Sequence, residues 1–126
     1  MDAQQPWQVN AGGSNGHLHV YEYGMALHNE QTEVYRWISY DLNVPANTVV
    51  TDLPAKVVRE GRHTIYAITF PWQKVGLQEI PRPGTRIGFS LIVNDRGPNG
   101  IRRGLRLGDG LLDSKNPADY EWLWTR

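Results

Sequence analysis

Apolar and polar side chains alternate with a period of two along several stretches of this chain, the spacing of half-buried strands rather than helices. Between His17 and His28, Tyr21, Tyr23, Met25 and Leu27 share one face, with Val20, Glu22, Gly24 and Ala26 on the other. Met25 is in phase with the tyrosines, which assigns it to a core. Asn29-Glu30-Gln31 is a turn signal, and Thr32–Tyr40 is rich in β-branched and aromatic residues, so the pair predicts a hairpin. Residues 41–54 read as a loop with a short strand at Thr48–Val50. A second hairpin is predicted from Ala55–Arg59, the turn Glu60-Gly61-Arg62, and His63–Phe70. Pro71–Gly76 has proline at its start and glycine at its end, the punctuation of a single helical turn.

The strongest alternation runs from Arg86 to Asn94, where Ile87, Phe89, Leu91 and Val93 are spaced two apart, and the pattern predicts one strand there. A turn at Asp95–Gly100 leads into a strand at Ile101–Leu107. After a loop over 108–115, Asn116 caps a turn begun by Pro117, and Glu121–Thr125 closes the chain as a strand. Seven or eight strands with one or two single helical turns predict an all-β fold, an antiparallel β-sandwich of jelly-roll or immunoglobulin-like type. Residues 1–16 are polar apart from Trp7 and read as an N-terminal arm, with 17–126 as the single sandwich domain.

Composition narrows the chemistry. Thirteen glycines and eight prolines in 126 residues suit short strands joined by turns. With no cysteine, disulfides and thiolate metal sites are excluded. Thirteen basic and thirteen acidic residues cancel, and one basic cluster, Arg102, Arg103 and Arg106, falls short of the field that phosphate binding requires, so no nucleic-acid partner is expected. No apolar run approaches the roughly 20 residues that span a bilayer, and the first residues do not read as a signal peptide, so no membrane partner is expected. Five tryptophans and six tyrosines against two phenylalanines favour rings with a polar tip, suited to partly exposed contact surfaces.

Four segments in order carry a resemblance. They are Tyr21-Glu22-Tyr23-Gly24 leading into Val34-Tyr35-Arg36-Trp37; Gly61 through Tyr66-Ala67-Ile68 into Phe70-Pro71-Trp72; Gly84-Thr85-Arg86-Ile87-Gly88-Phe89-Ser90 into Val93-Asn94-Asp95; and Arg103-Gly104 followed by Lys115-Asn116-Pro117 and Tyr120. Together they span about four-fifths of the chain, and their order resembles carbohydrate-binding module family 9 and its DOMON-like relatives. The resemblance implies a jelly-roll-like sandwich that binds sugars without catalysis, frequent structural calcium, an extracellular setting, and a ligand role for Lys115. The chain departs from the family in two places. The family's first strands, with one stacking tryptophan, have no counterpart before Met1-Asp2-Ala3, and the loop Leu111-Leu112-Asp113-Ser114 lacks the second.

Candidate contacts follow from side-chain chemistry. Trp37 and Arg36 are adjacent on a strand and so point to opposite faces. An exposed tryptophan or tyrosine beside Glu22, Arg36 or Arg103 would stack on a sugar ring while the charged groups take its hydroxyls. Asn94 and Asp95 open a loop whose oxygens suit sugar hydroxyls or calcium, although a hairpin turn requires the same residue types. Asp109 and Asp113 could complete an oxygen set with Asp95 for structural calcium, and no other cofactor is expected. The carboxylates are scattered and no serine sits in a nucleophile elbow, which argues against an enzyme. A sandwich without its first strands should leave an edge or a face uncovered, and a homodimer is expected to cover it, with Trp7 or the strand from His17 to His28 near the interface.

Overall fold

The computed structural model describes residues 20–96, 99–100, 102–109, 111 and 119–126. They form nine strands and one 3₁₀ turn, an all-β protein. The expected arm 1–16, with Trp7, lies outside the described residues, as does the turn begun by Asn116 and Pro117. The chain divides into two compact units at Ile80–Pro81.

In the first unit, β1 (Glu22–His28) and β2 (Gln31–Ile38) pair antiparallel, and β3 (Thr48–Val49) joins the far side of β2. The hairpin loop is two residues long, because Gln31 is already paired with His28. Asn29 and Glu30 both take positive φ, 48° and 63°, as the twist-matched type I′ turn demands. The second hairpin, β4 (Ala55–Glu60) with β5 (His63–Ile68), turns through Gly61 at φ 59°. Gly61 supplies a left-handed conformation that a side chain would strain.

Tyr23 and Met25 of β1 point inward with Val34 of β2, and the small core is completed by Val50, Leu53, Ala55, Ile68 and Phe70. One hydroxyl joins the three-stranded sheet to the second hairpin: the Val57 N–H donates to Thr32 Oγ1 at 2.8 Å. The expected helical turn is a 3₁₀ turn at Trp72–Val75, ended by Gly76 at φ 83°. Tyr21 packs on that glycine, since an added Cβ would lie 2.9 Å from its Cε2. Burial first, and then the nearby Asp41 carboxylate, push the Tyr21 phenol above its ordinary pKa.

In the second unit, the long strand expected over Arg86–Asn94 is two strands. β6 (Arg86–Phe89) pairs with β9 (Glu121–Trp124), while β7 (Leu91–Arg96) pairs with β8 (Arg102–Leu107). The break falls at Ser90, whose Oγ lies 3.2 Å from the Leu107 carbonyl and 3.1 Å from that of Asp109. A hydroxyl that engages carbonyls at the corner lets the backbone change partners, which alternation of apolar residues alone does not register. With the expected short strand present as β3, this split makes nine strands where seven or eight were expected. Thr125 clamps the other end. Its N–H donates to Thr85 O at 3.0 Å, its carbonyl accepts from Gly84 at 2.8 Å, and its hydroxyl donates to Arg82 O at 2.5 Å.

The turn conformation carries a prediction. A non-glycine residue in the left-handed region is strained by about 1–2 kcal/mol, against about 0.5–1 kcal/mol of extra chain entropy for glycine. Glu30→Gly should therefore stabilise the protein by about 0.5–1 kcal/mol in urea denaturation, and an unchanged or lower midpoint would show that Glu30 is not strained there.

Candidate ligand-binding face

Strand alternation sends Val34 and Arg36 inward and Glu33, Tyr35 and Trp37 outward from β2. Arg36 is 4 % exposed and Trp37 is 50 % exposed, so the two adjacent residues do face opposite ways. The register adds what alternation could not supply. Tyr23 pairs with Arg36 and the preceding Glu22 with Ile38, which leaves Trp37 as the extra residue of a β-bulge. Bulges bend the strand and re-aim the side chain at the extra position.

The re-aimed indole lies over Gly24 of the neighbouring strand. A Cβ at Gly24 would come within 2.9 Å of Trp37 Nε1, so the glycine makes the space that the ring occupies. On its other side Trp37 meets Tyr35, with ring centroids 4.3 Å apart and planes tilted by 51°. Tilted aromatic pairs are favoured by about 0.5–1.5 kcal/mol beyond the area they bury. The outcome is a braced aromatic pair with the indole half in solvent.

Behind this face, Arg36 turns its guanidinium inward. Nε donates to Tyr23 Oη at 3.1 Å, Nη1 donates to the Pro45 carbonyl at 2.8 Å, and the guanidinium carbon lies 5.3 Å from the Tyr23 ring centroid. Tyr23 Oη in turn donates to the Lys74 carbonyl at 2.8 Å, and its ring packs on Phe70 at 4.9 Å. Expected as a group that takes ligand hydroxyls at the surface, Arg36 is committed to internal carbonyl and phenol partners because its strand phase buries it. Lys74 pairs with Asp52, whose carboxyl is held below its ordinary pKa by that bond first and more weakly by the field of Arg36. Glu22, half-buried, stands opposite Ile38 at the bulge.

The remaining expected contacts belong to the second unit. Asn94 is exposed and pairs with Gly104, while the backbones of Asp95 and Arg103 are register partners. Asp109 takes Arg106 in an ion pair at 3.2 Å. Asp113 and Lys115 lie outside the described residues. Among the described residues no three His, Cys, Asp or Glu side chains gather as a metal-holding group. Trp122 and Trp124 share a face of β9, as their spacing predicts, and the Arg86 guanidinium lies 5.4 and 5.5 Å from their ring centroids.

Gly24 and Glu33 are not among the contacts expected from the sequence, and Tyr35 enters there only as a neighbour of Arg36. Tyr35 and Glu33 had a signal, since both stand an even number of residues from Trp37 on one strand. Gly24 acquires its meaning from the register. Compared with protein-family models, with curated proteins and with solved structures, the chain matches none.

The Arg36 cluster can be tested with a single atom. Tyr23→Phe keeps the ring and its packing, but it strips a partner from both Arg36 Nε and the Lys74 carbonyl. Leaving buried polar groups unsatisfied should lower stability by about 1–3 kcal/mol in urea denaturation. A neutral result would mean that water takes the place of the phenol.

Proposed function

We propose that this chain is a non-catalytic, carbohydrate-binding β-sandwich module in which Trp37 and Tyr35 stack on a sugar ring and flanking polar side chains take its hydroxyls. One observation carries the reading. The protein builds a bulge and spends a glycine to hold a tryptophan ring at the surface, where burial would stabilise it more. Sugar rings present CH groups with slight positive charge, and these pack on the negative face of an aromatic ring. Packing over Gly24 and against Tyr35 fixes the indole before a ligand arrives, which lowers the entropy lost on binding.

Affinity electrophoresis across soluble polysaccharides tests the reading. Wild-type protein should be retarded by at least one glycan, and Trp37→Ala should lose about 2 kcal/mol or more of binding while keeping a cooperative melt. Equal retardation of the two proteins would remove Trp37 from the site, and no retardation on any glycan would overturn the reading.

A second reading, an assembly domain that has lost the sugar site, is favoured by a different face. Leu91 pairs with Leu107 and Val93 with Leu105, so four aliphatic side chains line one side of the β7–β8 hairpin, with Leu105 79 % exposed. A second copy of the chain would cover such a face in a two-fold dimer. Light scattering at micromolar concentration should give a dimer mass that Leu105→Lys reduces to monomer. A monomer mass for the wild type would set this reading aside.

A further inference from the structure

The outward residues of β2 form a graded line. Trp37 and Tyr35 make the aromatic end, and Glu33 and Gln31 continue it with polar groups. Along the edge of β2 at that polar end a groove of about 460 Å³ opens, lined by Asn29, Gln31, Glu33 and Thr51 and by core residues that include Val34 and Leu53. The register explains why it opens there. β3 covers β2 through the pairs Tyr35–Val49 and Arg36–Thr48, and no third strand pairs with Gln31–Glu33 among the described residues. The groove thus begins where the aromatic pair ends. Carboxylate, amide and hydroxyl groups meet in it, the groups that exchange hydrogen bonds with sugar hydroxyls. Among the described residues the Glu33 carboxylate has no ion-pair or side-chain hydrogen-bond partner.

Alternate side chains on a strand are about 6.6–6.8 Å apart, so the line from Gln31 to Trp37 extends over about 20 Å, several sugar rings in length. Its one formal charge is the Glu33 carboxylate, which would repel an acidic glycan and would accept from paired hydroxyls of a neutral one. We infer that the face binds an extended stretch of a linear, neutral glycan along β2, with one ring stacked on Trp37 and Tyr35 and a later one hydrogen-bonded to Glu33 in the groove. This inference rests on the glycan-binding reading and adds the length, the charge and the direction of the ligand.

Calorimetric titration with cello-, xylo- and manno-oligosaccharides, each from monosaccharide to hexasaccharide, with oligogalacturonates as the anionic counterpart, tests it. Affinity should rise by about tenfold or more between the disaccharide and the longer oligomers of one neutral series, because the second subsite adds charge-assisted hydrogen bonds. Oligogalacturonates should bind more weakly. Glu33→Gln should cancel that gain for the long oligomers and leave the disaccharide affinity unchanged, whereas Trp37→Ala should weaken every length. A monosaccharide or disaccharide that binds as tightly as the hexamer would overturn the extended site while the glycan-binding reading stands. So would a Glu33→Gln protein that keeps the length dependence, or a preference for the galacturonates. Absence of binding to any oligomer would overturn both.

Discussion

A charged guanidinium placed away from water must have its donors met, and the first unit is arranged around meeting those of Arg36. The residue is nearly sealed, and its donors go to a phenol and a main-chain carbonyl rather than to a carboxylate. Each partner comes from a different segment: Tyr23 from β1, Pro45 from the loop before β3, and, through the phenol, the Lys74 carbonyl from the 3₁₀ turn. A planar fork with several donors can bridge these segments, whereas a lysine ammonium offers one point of charge. The hydrophobic core beside it is small, built on Val34, Val50 and Leu53, so this polar junction carries much of the specification of which segments meet.

The outer face depends on the inner one. Arg36 and Ile38 pair with consecutive residues of β1, and Trp37 between them is left without a partner in the ladder. The same local irregularity that sets the buried arginine against Tyr23 therefore turns the indole outward onto Gly24. Structure and proposed chemistry are two sides of one bulge. A ring seated over Gly24 and held from the side by Tyr35 has little freedom left to lose, which is what a shallow sugar contact requires.

In the second unit hydroxyls do comparable work with neutral groups. Ser90 engages carbonyls at the corner where β6 gives way to β7, and Thr125 ties the last strand to the segment 82–85. Arg86 lies against two tryptophans of β9 in a cation–π arrangement, and Trp124 stays 63 % exposed. The aliphatic side of β7–β8 is of another character, and it supports the assembly reading on its own terms.

Period-two alternation, turn residues and the scarcity of helical spacing were enough to determine the all-β class, both hairpins of the first unit, the single helical turn and the opposed orientation of Arg36 and Trp37. Each is a local property, set within a few residues by backbone preference and side-chain phase. What the tertiary structure decided required knowing partners. The strand over Arg86–Asn94 looks continuous because Ile87, Phe89, Leu91 and Val93 keep their phase, yet its first half pairs with the last strand of the chain and its second half with the next strand along. The arginine at position 36 looked like a surface contact until Tyr23 and Pro45 arrived as its acceptors. The glycine at 24 had no meaning until the bulge at Trp37 placed a ring over it, since register is a relation between two strands and neither strand carries it by itself.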